Sequence, residues 1–248
     1  HTSHVHAHKA ARCTHLPSLH SCEVYTEMEN TTEHEAAFKM NSIFFQEKRT
    51  PGEVKELYSQ FSQTYEQLMN SRTYAGPRVA AEEIARLVPQ ECRKDARVLD
   101  VAAGTGKVGQ ELYKRGFTWL DAVEPSTGML EILYKTEVYS QAFKEFLGHG
   151  NSTIPTETYD VVVNVGGMGE GHIPVRGVDD MINLTKPGGV VVVVMRLEYL
   201  EIVKEYRDRL ETRMNLLEKS GRWSMVLKKT IPRYFCDKEG IIFIYRVI

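Results

Sequence analysis

The sequence predicts an α/β chain, a doubly wound and mostly parallel sheet with helices on both faces. Three observations carry that reading. Apolar runs of strand length alternate with amphipathic segments from about residue 97 to residue 195. The valines at 190–194 suit a strand buried on both sides. A turn rich in small residues, "AAGTG" at 102–106, joins the first apolar run to a helical pattern.

The elements follow in order. Residues 46–96 read as an N-terminal helical segment, in which Val54, Leu57, Tyr58, Phe61, Tyr65 and Leu68 recur at three- and four-residue spacing. "YAGPRVAAEEIARLVPQ" is a further helix, with Pro77 near its start and Pro89 at its end. Arg97–Ala102 is a short buried strand, and "KVGQELYKRGF" is a helix closed by Gly116. "TWLDAVE" is the second strand, and Ser126 caps the helix after it. "AFKEFL", "YDVVVNVGG" and "GGVVVVVMR" are the third, fourth and fifth strands, with a helix near 178–184 between the last two. A long helix is then expected, with Val203, Tyr206, Leu210, Met214 and Leu217 on one stripe. "RWSMVLKKTIPRYF" and "IIFIYRVI", joined by "CDKEG", read as an antiparallel pair. No internal repeat and no second core stands out, so 46–248 is expected to be one domain.

Charge and cysteine usage narrow the function. The net charge of −2 gives no broad attraction for nucleic acid. The longest aliphatic run, Val190–Met195, is far short of the roughly 20 residues that a membrane-spanning helix needs. Cys13, Cys22, Cys92 and Cys236 are widely spread with no CxxC pair, so neither a disulfide framework nor a zinc knuckle is expected. A reducing, cytoplasmic setting fits that usage.

Seven of the nine histidines fall in the first 34 residues, and the chain begins at His1. Residues 1–45 are expected to be a poorly structured, His-rich tail: sequence upstream of a native start at Met28 or Met40, or the end of a fragment. Its imidazoles and Cys13 could ligate zinc or copper. Clustered histidines without fixed hydrogen-bond partners hold metal weakly, so no metal site is expected.

The glycines carry the functional question. Gly104, Gly106 and Gly109 satisfy G-x-G-x-x-G, and Glu124 follows about twenty residues on. That spacing suits a dinucleotide as well as a nucleoside of another kind. Asp100 decides between them. It stands at the strand end, four positions before Gly104. A carboxylate there would face the pyrophosphate of a dinucleotide, at roughly 3 kcal/mol per charge pair for 6 Å and an effective dielectric near 20. A ligand with a sulfonium and an ammonium reverses the sign. Glu124 can accept hydrogen bonds from ribose hydroxyls, which either ligand provides.

"VLDVAAGTG", the acid of "AVEPS", "YDVVV" and "TKPGGVVVVV" together resemble the class I S-adenosylmethionine-dependent methyltransferases, over about residues 54–248. More narrowly, "LYSQFSQTYEQLM", "YAGPRVA", "GFTWLDAVEPSTGML" and "VGGMGEGHIP" are similar to the methyltransferase-like proteins of the Williams–Beuren region. The resemblance implies a seven-stranded sheet with an antiparallel last strand. It implies S-adenosylmethionine as cofactor, with Asp100, Ala102, Gly104 and Gly106 at its methionine end. Glu124 would hold the ribose, with Pro125 and Met129 beside the adenosine. Tyr58 and Tyr65 would close over the cofactor or pack in the core. Relatives carry an acid near the adenine where this chain has "GHGNSTIP", and Asn151 is the nearest polar candidate there.

Methyl transfer is an in-line displacement that needs alignment and exclusion of water more than it needs an acid. The loop "NVGGMGEGHIP" after the fourth strand is the expected wall of the acceptor site, and Glu170 and His172 are its titratable members. No Asn-Pro-Pro-Tyr follows the fourth strand, and no nucleic-acid module is visible. A small-molecule acceptor is therefore expected ahead of a protein. Two alternatives stand: a non-catalytic S-adenosylmethionine-binding protein, and an NAD(P)-dependent short-chain oxidoreductase. The second needs a Tyr-x-x-x-Lys pair on a helix, and Tyr234 and Lys238 fall instead in the terminal hairpin.

Overall fold

Each strand expected from the sequence enters a single sheet in the computed structural model, which describes residues 32–46, 48–150 and 152–248. The strands are β1 (Arg97–Val101), β2 (Trp119–Val123), β3 (Gln141–Phe143), β4 (Tyr159–Val165), β5 (Thr185–Arg196), β6 (Trp223–Phe235) and β7 (Lys238–Val247). Their order is β3-β2-β1-β4-β5-β7-β6. Strands β1 to β5 pair in parallel, and β7 runs antiparallel to both β5 and β6. The last strand is thus the one that opposes the rest, inserted between β5 and β6. The order turns back at β1, which pairs with β2 on one side and β4 on the other. Open α/β sheets bind ligands at such a point, beyond the carboxyl ends of the strands.

Two apolar layers hold the sheet. On one face Leu99, Val101, Val162, Val191 and Val193 pack under Met181, Tyr206 and Met214. On the other, Val98, Val161, Val163, Val192 and Val194 pack under Phe44, Phe61, Ile84 and Leu112. The valine run of β5 therefore alternates between two cores, which is why it carries no polar residue.

The N-terminal helices are α1 (Glu33–Phe44), α2 (Pro51–Gln60), α3 (Ser62–Leu68) and α4 (Gly76–Leu87). Helix α1 corrects the expectation of a poorly structured tail up to residue 45. Thr32 and Glu35 form a reciprocal capping box at its start. Ala36, Ala37, Met40 and Phe44 bury one face against the sheet layer. The remaining tail, with the histidine cluster through His20, lies outside the described residues. The periodic segment 54–68 is also two helices rather than one, broken at Phe61.

The remaining helices are α5 (Lys107–Tyr113), α6 (Thr127–Tyr134), α7 (Gly177–Leu184), α8 (Tyr199–Ile202) and α9 (Leu210–Lys219). The expected long helix with its single stripe is interrupted between α8 and α9, where Asp208 takes a left-handed φ of 59°. The stripe is still buried throughout. Tyr206 explains the break: its hydroxyl accepts the Gly169 N–H at 2.8 Å and donates to the Ile173 carbonyl at 2.7 Å. Reaching that loop takes the chain out of a regular helix. The third strand is also shorter than expected. It ends at Phe143, and Glu145, Phe146 and Leu147 turn away to form part of a cavity wall.

Among the described residues, no helix is long and apolar enough to cross a membrane.

Candidate functional site

The carboxyl ends of β1, β2 and β4 open into a cavity of about 740 Å³. Val101 and Ala102, Val123 and Glu124, and Val165 and Gly166 form its floor. Helix α2 and the start of α3 supply Tyr58 and Tyr65 as its roof, and the loop after β4 supplies His172.

Seven of the expected cofactor residues meet here: Tyr58, Tyr65, Ala102, Gly104, Glu124, Pro125 and Met129. Asp100 and Gly106 do not line the cavity. Side chains alternate along β1, so Asp100 shares the face of Val98, opposite to Leu99 and Val101. Tyr139 packs over both displaced residues. Its hydroxyl donates to Asp100 Oδ2 at 2.6 Å and accepts the Gly109 N–H at 2.9 Å. Its ring would lie 2.9 Å from a Cβ placed on Gly106. Asn151 lies outside the described residues.

Glu124, 6% exposed, is held by two backbone donors. Oε2 accepts the Gly104 N–H at 2.9 Å, and Oε1 accepts the Ser126 N–H at 2.8 Å. Each oxygen keeps a lone pair for a further donor. Burial pushes its pKa up to about 7, against the lowering effect of those two bonds. Asp100, 2% exposed, is likewise raised to about 7. Burial is the main cause, and the neighbouring Glu124 carboxyl adds to it against the Tyr139 hydrogen bond. Two buried carboxyls thus share one region, and Glu124 presses Asp100 toward the protonated form.

These residues fit a nucleoside cofactor with a positive centre. Asp100 Oδ1 is buried with no hydrogen-bond partner among the described residues. Gly104 has a φ of 56°, and a Cβ there would meet nothing within 4 Å, so the missing side chain leaves open space at the cavity wall. Ala102 adopts the same left-handed region, at φ 56°, without being glycine. That conformation costs an L-residue about 1–2 kcal/mol. Asn164, wholly buried, donates from Nδ2 to the Val101 carbonyl at 2.8 Å and so fixes the end of β1.

The roof is tied down at two points. Ser59 Oγ and Ser126 Oγ lie 2.9 Å apart. A Cβ on Gly128 would stand 2.4 Å from the Ser59 carbonyl oxygen, so only glycine lets α6 approach α2 this closely. At the other side, Tyr58 Oη lies 3.0 Å from His172 Nε2. His172 Nδ1 lies 2.7 Å from the Glu170 carbonyl oxygen. A carbonyl only accepts, so the proton sits on Nδ1 and Nε2 accepts from Tyr58. Burial lowers the His172 pKa to about 4, and the ring stacks on Phe45 at 4.4 Å.

The two titratable loop residues therefore separate. His172 lines the cavity, whereas the Glu170 side chain lines a different groove, with Lys48, Lys204 and Arg207. Only its carbonyl serves the site. Sequence reading also missed a smaller cavity that adjoins the first, lined by Phe45, Tyr74, Tyr199, Tyr234 and Arg196. Its residues come from α1 to β6 and share no motif. Arg196, the charged residue directly after the apolar run Val190–Met195, is the one signal that could have found it.

Residues 72–237 match the family model described as a methyltransferase domain. The chain belongs to the methyltransferase domain family. It is 31% identical to human methyltransferase-like protein 27 over 176 residues, 71% of this chain and 70% of that protein. It is 25% identical to the demethylmenaquinone methyltransferase of Clavibacter sepedonicus over 147 residues, 58% of each. The fold matches the crystal structure of a TehB-like SAM-dependent methyltransferase from Corynebacterium glutamicum. The TM-score is 0.53, with 13% identity, over 78% of this chain and 98% of that one. The fold is the class I methyltransferase fold. The nicotinamide reading falls with this membership, and Tyr234 and Lys238 indeed lie on either side of the β6–β7 turn.

Among the described residues, no group of three or more His, Cys, Asp or Glu side chains could hold a metal ion.

Proposed function

We propose that this methyltransferase acts on a small molecule, with the donor held in the 740 Å³ cavity at the ends of β1, β2 and β4. One observation supports the placement: of two buried carboxyls, both raised to about 7, Glu124 lines the cavity and Asp100 lies behind its wall, and neither has an ion-pair partner among the described residues. A sulfonium ligand lowers that cost, and a diphosphate would raise it.

The donor supplies a methyl carbon whose bond to sulfur breaks toward sulfur as a lone pair of the acceptor replaces it. The protein's own residues bind, orient and exclude water. Glu124 keeps a lone pair on each oxygen to accept the ribose hydroxyls. The Gly104 N–H keeps that carboxyl in place. Pro125 and Met129 offer an apolar wall to the adenosine. Asp100 acts from behind the wall, through its field. Tyr58 and Tyr65 shut the roof, and the Tyr58–His172 hydrogen bond latches it. With a pKa near 4, His172 is a poor base in this state, and its role is to position Tyr58.

The roof supports a small acceptor. Tyr58 and Tyr65 stand over the donor cavity, and Phe45 stacks behind His172. The chain's balanced charge supports the same reading. A relative named for demethylmenaquinone, a small molecule, agrees with it.

Calorimetry with S-adenosylmethionine, S-adenosylhomocysteine and NAD tests the placement. The first two are expected to bind with micromolar affinity and NAD not at all. Tight NAD binding with no response to the others would overturn it.

A further inference from the structure

We propose that the smaller cavity behind Tyr58 and Tyr65 is the acceptor subsite, and that it takes a planar aromatic or conjugated carboxylate anchored by Arg196. This deepens the reading above and rests on it for the position of the donor.

The first ground is adjacency. Tyr58, Tyr65 and Gly166 are walls of both cavities. A molecule seated in the smaller one therefore meets the donor cavity across those three residues.

The second ground is charge. The Arg196 side chain is 11% exposed, and its Nη1 donates to Asn41 Oδ1 at 2.7 Å and to the Tyr199 hydroxyl at 2.9 Å. Nε is buried with no hydrogen-bond partner among the described residues. Glu198 Oε1 is close enough for an ion pair at 3.3 Å, but too poorly aligned for a hydrogen bond. Glu198 is also shared with Lys238 at 3.2 Å. Of these three side chains only Arg196 lines the slot. A buried guanidinium with spare donors selects a carboxylate, which it can meet at two points.

The third ground is shape. The walls are rings, with Tyr74 and Tyr234 edge to face at 5.4 Å and Phe45 against Tyr199 at 5.2 Å. Rings set at such angles receive a flat molecule by stacking and edge contact. Burial raises the pKa of Tyr65, Tyr74 and Tyr234, so all three stay neutral phenols at physiological pH. The Tyr74 and Tyr234 hydroxyls lie 3.2 Å apart and share one proton between them, which leaves the other proton free to donate. The slot therefore offers one charge contact and one hydroxyl donor to an otherwise apolar guest.

Calorimetry on the full chain saturated with S-adenosylhomocysteine tests this, using 4-hydroxybenzoate, 1-hydroxy-2-naphthoate, cyclohexanecarboxylate, phenol and benzylamine as probes. The aromatic carboxylates are expected to bind at least tenfold more tightly than the other three. Arg196→Met should weaken them at least tenfold and leave S-adenosylhomocysteine affinity within twofold. Arg196→Lys, which keeps the charge but loses the fork, should fall between. Phenol or benzylamine binding as well as the carboxylates would overturn the proposal, as would Arg196→Met binding them undiminished. So would failure of every aromatic carboxylate to bind to protein that holds S-adenosylhomocysteine. Arg196-dependent binding of the carboxylates in protein that ignores S-adenosylhomocysteine would uphold the anion slot and sink the donor placement instead.

Discussion

Tyr58 Oη donates to His172 Nε2 across 3.0 Å, and this bond joins the N-terminal helices to the loop after β4 at the wall of the larger cavity. The two residues are 114 positions apart in the chain. Tyr58 is fixed from behind by Phe44, stacked at 4.2 Å, and His172 by Phe45 at 4.4 Å. The latch therefore depends on α1 as well as on the two residues that form it.

Breaking the latch should loosen the donor without removing its contacts. Tyr58→Phe leaves His172 Nε2 with no donor and is expected to cost about 1 kcal/mol of stability, or roughly 2–4 °C in Tm. The KM for S-adenosylmethionine should rise severalfold. Thermal melts and initial-rate kinetics check both, and an unchanged KM would show that the roof is not closed through this bond.

Glu124 is expected to matter far more. Glu124→Ala removes the acceptor held by the Gly104 and Ser126 N–H groups and should weaken S-adenosylmethionine by roughly 2–4 kcal/mol. Glu124→Gln keeps one acceptor oxygen and should lose less. Calorimetric titration reads the difference, and wild-type affinity in the alanine variant would take Glu124 out of the pocket.

Donor binding should depend on pH. Asp100 and Glu124 both titrate near 7 in the ligand-free protein, and a positive ligand favours their charged forms. Affinity should therefore rise from pH 6 to pH 8, with release of up to about one proton at pH 7. Titration in buffers of different ionisation enthalpy measures that release. Ligand-free stability should move the other way. Both carboxyls hold protons in the folded state that the unfolded chain has already lost, so their contribution is present below about pH 4 and lost as pH rises through about 7. Asp100→Asn should flatten that decline in Tm.

Helix α1 should prove part of the domain. Met40 is buried to 1% exposure, and Met40→Ala is expected to cost about 2–5 kcal/mol. Denaturant unfolding of the variant gives the figure. A loss well under 1 kcal/mol would mean that α1 detaches in solution.

Much of this was legible in the chain itself. The alternation of valine runs with amphipathic helices determined the parallel sheet, because a strand buried on both faces tolerates no polar period. The "AAGTG" turn and Glu124, at fixed distances along two neighbouring strands, determined which strand ends meet at the larger cavity. The terminal hairpin was legible from its two β-rich runs and the short polar link.

Tertiary structure decided the rest. Asp100 reads as a cavity residue by position, yet strand alternation sends it behind the wall to Tyr139. Glu170 and His172 look equivalent in sequence, and only packing on Phe45 and Tyr58 makes one of them a latch and sends the other to a separate groove. Helix α1 has a weak local signal, and its order comes from what Phe44 and Met40 touch. The aromatic slot around Arg196 gathers side chains from five distant stretches, from Phe45 to Phe235. Local sequence sets the direction of each chain segment, whereas burial, which sets charge state and partner, depends on residues that are neighbours only once the chain has folded.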